Sequence, residues 1–124
     1  MNNDGILENE GILANNNGYF TSNGGAVINN RNTGALTNNH TFLNRGTFNN
    51  DGIFNNNSTL SNTGSFNNSG NLINTGTTSL INIGTGGTTG NLNGNVVNNW
   101  RAFGFQSQQF RYLRRYHLWE WQCY

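Results

Sequence analysis

Apolar residues recur along this chain at every sixth position, with polar runs between them. Written as Asn-Asn-x-Gly-x-Leu/Phe, the units run 2–7 (NNDGIL), 8–13 (ENEGIL), 15–20 (NNNGYF) and 21–26 (TSNGGA). After Val27-Ile28-Asn29-Asn30 they resume at 31–36 (RNTGAL) and continue unbroken to 73–78 (INTGTT). The sixth place is apolar in eleven of twelve units: Leu7, Leu13, Phe20, Ala26, Leu36, Phe42, Phe48, Phe54, Leu60, Phe66 and Leu72, with Thr78 breaking the series. The second place is Asn in all but Ser22, and the fourth is Gly in all but His40 and Ser58. Three constrained places in one short unit identify a repeat array.

An even-numbered unit decides the geometry. Side chains of an extended chain alternate between two faces, so places two, four and six all point one way. Asn, Gly and Leu/Phe are therefore expected inward, with places one, three and five outward. A helix would smear a six-residue period around its surface, because 3.6 does not divide six. Short strands with a corner at each unit fit better, since Asn and Gly tolerate corner backbone and Gly allows close approach. The expected fold class is all-β: a parallel β-solenoid (β-helix) of six-residue units, with Leu/Phe columns and Asn ladders inside. One apolar side chain per unit cannot order six residues alone. Satisfied Asn ladders must supply much of the rest, helped by Ile6, Ile12 and Ile53.

Two coil lengths remain open. Phe42, Phe54 and Phe66 recur at twelve, which favours two units per coil. His40 and Ser58, the two non-glycine fourth places, are eighteen apart, which favours three.

The chain divides into a repeat region, 1–99, and a tail. Within the first part, 2–78 is regular, and from Ser79 to Asn99 the spacing decays among Gly84, Gly86, Gly87, Gly90 and Gly94. Residues 100–124 contain no Asn but nine aromatics (Trp100, Phe103, Phe105, Phe110, Tyr112, Tyr116, Trp119, Trp121, Tyr124) and four arginines. Phe110, Leu113, His117 and Trp121 have near-helical spacing, so 106–121 reads as a short amphipathic helix. Three readings of the tail compete: a cap over the solenoid end, an interfacial membrane or partner anchor, or a shifted reading frame. The last arises because Gln108–Tyr112, slipped by one base, can encode Asn-Asn-Leu-Gly-Thr.

Composition narrows the functions. Asparagine fills 29 of 124 positions and hydrophobic residues only 33%, below the usual share of roughly 45–50%. A disordered or aggregating low-complexity segment is the alternative to folding that this composition raises. The net charge of +1 gives no pull toward nucleic acid, and membrane contact is expected only through 100–124, if anywhere. The single cysteine, Cys123, forms no internal disulfide and belongs to no metal-ligand cluster. No signal peptide is recognisable at the N-terminus. The repeat is in phase from Asn2, which favours a piece of a longer exported chain.

Residues 2–99 resemble, in repeat style, the Asn/Gly-rich passengers of large bacterial exoproteins: autotransporter and filamentous-haemagglutinin-like adhesins. The stretch Phe20-Thr-Ser-Asn-Gly-Gly-Ala-Val27 is also similar to the F-x-x-N and G-G-A-[ILV] signatures of polymorphic outer-membrane proteins. The resemblance implies a rigid β-helical rod displayed outside the cell. This chain departs from the family in carrying neither a signal peptide nor a membrane-embedded β-barrel domain.

Candidate chemistry is sparse. Asp4, Glu8, Glu10 and Asp51 fall at outward places and read as solvated charges, with no partner for acid–base work. His40 stands where an inward glycine is expected and reads as a tolerated corner substitution. Hexapeptide acyltransferases share the six-residue period, but recurrent Phe and second-place Asn depart from their pattern. Thr41, Thr47, Thr59 and Thr77 share place five but are interrupted by Ile53, Ser65 and Asn71, a ragged array for ice binding. Sequons occur at Asn39, Asn56, Asn57 and Asn67. No catalytic, cofactor or metal residue is identified. The expectation is a non-enzymatic structural or adhesive module of a secreted or surface protein, with an ice- or carbohydrate-binding face as the alternative. Self-association through the open solenoid ends is expected, and a surface glycan or host-surface ligand is the candidate partner.

Overall fold

The computed structural model describes residues 1–76, 78–84, 90–98 and 103–105. The described residues form a parallel β-solenoid, and its regular part follows the parity of the repeat. The strands are β1 (Asn2–Asn3), β2 (Ile6–Asn9), β3 (Ile12–Asn15), β4 (Tyr19–Ser22), β5 (Val27–Asn30), β6 (Ala35–Asn38) and β7 (Thr41–Asn44). They continue as β8 (Thr47–Asn50), β9 (Ile53–Asn56), β10 (Thr59–Asn62), β11 (Ser65–Asn74), β12 (Leu80–Ile83), β13 (Asn91–Asn98) and β14 (Phe103–Phe105). Every pairing is parallel, and each strand meets the one three strands on in the regular coils.

Three strands make one coil, so the cross-section is three-sided. The first face stacks β1, β4, β7, β10, β12 and β14. The second stacks β2, β5, β8 and the first half of β11, and the third stacks β3, β6, β9 and its second half. Because β11 runs around a corner without a break, these two faces join as one eight-stranded sheet that also takes in β13. Thr41 pairs with Thr59, Thr47 with Ser65 and Ile53 with Asn71, each eighteen residues apart. The regular coil is thus eighteen residues long.

Burial alternates along the strands as parity requires. Thr47, Phe48, Asn49 and Asn50 read half-buried, buried, half-buried, buried, and β5, β6, β7 and β10 repeat that pattern. Phe42, Phe48 and Phe54 come from three faces of one coil and meet at the axis, with centroids 5.1–5.4 Å apart. Phe20 sits edge-on above Phe42 at 4.6 Å, and Phe66 stacks beneath Phe48 at 4.5 Å. Their twelve-residue recurrence reports convergence on one axis, whatever the coil length.

Side-chain amides finish the interior. At the corner between the second and third faces, Asn9 Nδ2 donates to Asn30 Oδ1, Asn30 to Asn50, and Asn50 to Asn68, at 2.6–2.7 Å. A second column links Asn15, Asn38, Asn56 and Asn74 at 2.8–2.9 Å. Each Nδ2 also reaches a backbone carbonyl of the next coil, as Asn38 does to Thr59 and Asn50 to Asn71. Buried amides cost dearly when unpaired, so these bonds are what permits so polar an interior.

Three alignments inferred from the repeat are corrected. Between Leu13 and Phe20 the inward amide is Asn15, buried, and not the exposed Asn16. Val27–Asn30 is not an interruption but a full strand, in which Ile28 fills the apolar column and Asn30 the ladder. Ala26 therefore occupies the fourth place rather than the sixth, and Asn32 lies exposed on the corner. The fixed element is the strand, with an apolar residue two places before its Asn. Extra residues are absorbed at corners, where Gly18 and Gly25 adopt positive φ of 74° and 84°. At Thr78 the column likewise resumes later, with Ile81 pairing Leu60.

Two further corrections concern orientation. Ile6, Ile12 and Ile53 point outward and are 73%, 89% and 40% exposed, so they add little to the core. His40, expected inward, is exposed. Of the tail, Phe103–Phe105 pairs in parallel with β12. The helix expected over 106–121 lies outside the described residues.

Candidate functional site

With the inward places committed to packing and ladders, chemistry is left to the outward places, the corners and the rims. Asp4, Glu8, Glu10 and Asp51 are all exposed, as their odd places require. Glu8 ends β2 and accepts from Asn29 Nδ2 at 2.6 Å and from Arg31 Nε at 2.7 Å. These contacts, the Asn29 hydrogen bond foremost, hold its carboxyl below the ordinary value and favour the charged form. Glu8 in turn raises Arg31. Arg31 lies on the enlarged corner after β5, where an open depression is lined by Glu10, Arg31, Asn32, Thr33 and Asp51. Asp51 accepts from Ser69 Oγ, and Asp4 accepts from Asn23 Nδ2. Each of these contacts satisfies a surface charge or polar group, and none brings two acids together as an acid–base pair.

His40 stands on the corner before β7, edge-on to Tyr19 with ring centroids 6.3 Å apart. It escapes the inward position because the corner above it carries an extra residue and ends at Gly18. Among the described residues no group of His, Cys, Asp or Glu is arranged to hold a metal ion.

The outward surface carries its own amide columns. On the second face, Asn29 donates to Glu8, Asn49 to Asn29, Asn67 to Asn49, and Asn93 to Asn67, at 2.6–3.3 Å. Along the corner leading to the first face, Asn39 donates to Asn16, Asn57 to Asn39, and Thr75 Oγ1 to Asn57, at 2.8–3.2 Å. Donation here runs toward the N-terminal end, opposite to the interior ladders. Of the four sequons, Asn56 is fully buried in a ladder and unavailable to modification.

The threonines at place five are divided between faces. Thr41 and Thr59 are neighbours on the first, Thr47 stands on the second beside Val27 and Ser65, and Thr77 lies outside the described residues.

The N-terminal rim differs from the rest of the surface. Met1, Ile6, Ile12 and Tyr19, four of the five large exposed apolar residues described, belong to the first coil or the strand following it. Leu7 and Leu13 top the apolar columns and are only partly buried. The repeat placed the outward isoleucines correctly, but it gave no sign that apolar exposure concentrates at one end. Three consecutive apolar side chains just inside each first-coil glycine were unavailable as a cue, since GIL at 5–7 and 11–13 reads like any other unit.

Compared with protein-family models, with curated proteins and with solved structures, the chain matches none.

Proposed function

We propose that this protein is a non-enzymatic structural module, a stiff β-solenoid segment that spaces or adheres and that associates end to end. The observation that carries this reading is the N-terminal rim, where the Leu7 and Leu13 columns stop half-covered and Met1, Ile6, Ile12 and Tyr19 are exposed around them. Apolar clusters and open strand edges of this kind favour association. The amide columns on the second face and the adjoining corner suit contact with polar surfaces such as glycans. Together with the repeat style, these features fit display on a cell surface or secretion as part of a larger exported assembly.

Sedimentation velocity across a wide concentration range tests the reading. Mass should rise with concentration in a species whose frictional ratio increases as it grows. A strictly monomeric protein at every concentration would reject end-to-end association.

A further inference from the structure

The glycines of the fourth place have a cause that the first coil lacks. A Cβ on Gly34 would lie 2.4 Å from the carbonyl oxygen of Asn9, one coil toward the N-terminus. A Cβ on Gly52 would lie 2.2 Å from the carbonyl oxygen of Gly34, and one on Gly70 would lie 2.1 Å from that of Gly52. On another corner Gly64 stands in the same relation to Gly46, at 2.1 Å. Each of these glycines is needed because a coil sits against it. Gly11 heads the first column, yet a Cβ there meets nothing within 4 Å, and the same holds for Gly5. Neither has the positive φ that would demand glycine on backbone grounds. Within one molecule, both are glycines without a steric reason.

The amide ladders give an independent sign at the same rim. Inside the solenoid each Nδ2 donates toward the C-terminal end, so each Oδ1 receives a bond from the coil on its N-terminal side. Asn9 and Asn15 head two ladders and are 8% and 9% exposed, but no donor in the chain reaches their Oδ1 atoms. The rim therefore presents acceptor oxygens, two half-covered leucines and two clearances of the size of a carbonyl.

We infer that the N-terminal rim receives the C-terminal rim of a second copy of this chain, so that copies stack head to tail. This rests on the end-to-end association proposed above and fixes its polarity. Two N-terminal rims facing each other would set acceptor against acceptor, whereas a C-terminal rim brings strands of the same direction. On the third face that rim is formed by β13, which keeps parallel register with β11 through Asn74 and Asn98. Such a contact joins unlike surfaces, so it does not close at a dimer.

The Gly5→Ala/Gly11→Ala double variant separates docking from folding. Its methyl groups enter open space in the monomer, so its far-ultraviolet spectrum should be unchanged and its melting temperature equal or higher. In a stacked pair they would strike carbonyl oxygens, weakening association by about tenfold or more. The wild type should form an open series of oligomers in sedimentation velocity. A small share of the variant mixed in should shorten that series, since its intact C-terminal rim adds to a growing end and then stops it. A wild type that halts at dimers, a variant that associates like the wild type, or a variant that leaves wild-type oligomers unshortened would each overturn the head-to-tail assignment alone. A wild type that stays monomeric would remove end-to-end association itself, and with it the second copy as occupant.

Discussion

Ser22 and Asn44 pair in register on neighbouring strands of the first face, and each carries a buried oxygen that no donor reaches. The column continues below them, where Asn44 Nδ2 donates to Asn62 Oδ1 at 2.7 Å. Above, the serine is too short to donate to the Asn44 amide oxygen. This is the one ladder position occupied by serine within the regular coils, and it leaves the two buried side-chain atoms without partners.

Ser22→Asn should repair that gap. An amide there can donate to Asn44 Oδ1, relieving a buried unsatisfied acceptor whose cost is about 1–3 kcal/mol. Urea unfolding at low protein concentration should show a gain of about 1 kcal/mol or more. An unchanged or lower midpoint would mean that the ladder geometry does not extend through this corner.

Phe54 and Asp51 are three residues apart and sit on opposite sides of the wall. Phe54 is fully buried among Phe42, Phe48 and Phe66, whereas Asp51 is exposed. Phe54→Ala should cost about 3–5 kcal/mol, and Asp51→Ala should stay within about 0.5 kcal/mol. Thermal melts of the two variants that coincide would invalidate the inward and outward assignment.

Gly52→Ala tests the close approach of successive coils. Its methyl would overlap the Gly34 carbonyl, an atom of the backbone that cannot move aside without disturbing the stack. A loss of about 1–3 kcal/mol or more is expected in urea unfolding. Ready tolerance of alanine there would show that the coils are more loosely stacked than the register implies.

The Glu8–Arg31 pair makes stability depend on acid. Its folded carboxyl titrates below the ordinary 4.5, because Asn29 and Arg31 both stabilise the carboxylate. The unfolded chain therefore takes up this proton first. The contribution is complete above the unfolded value and disappears as pH falls through the lower folded one. The urea midpoints of wild type and Glu8→Gln should differ by a constant amount from pH 7 down to about 5, then converge in acid. Added salt should narrow the difference, since both groups are half exposed. A gap that widens on acidification would contradict the assignment.

How far the fold could be read in advance depended on what each residue constrains. Parity placed Phe42, Phe48, Phe54 and the Asn ladders correctly, because alternation is a property of the extended backbone itself. Coil length was ambiguous because phenylalanines from all three faces reach one axis, so their spacing does not mark neighbours. His40 and Ser58 do mark neighbours, since both stand on one corner a coil apart. The insertions were misplaced because Asn15 and Asn16, or Asn30 and Asn32, offer equivalent letters for the same ladder position. Spacing from the apolar residue resolves them: Leu13 to Asn15 and Ile28 to Asn30 keep the strand intact. The rim was not legible, because exposure at an end depends on what is stacked there and not on the unit's own letters.

The central claim is that eighteen residues return the chain to the same face, one strand spacing further along. Nitroxide pairs at outward positions, placed by cysteine substitution in a Cys123→Ser background, measure this directly by dipolar broadening in dilute solution. Thr41 and Thr59, which pair in register, should lie about 4.8 Å apart at the backbone and broaden strongly. Thr47 and Thr59, on different faces, should not. Strong broadening for the second pair and none for the first would establish a twelve-residue coil instead, and weak coupling in both would mean that the units do not stack.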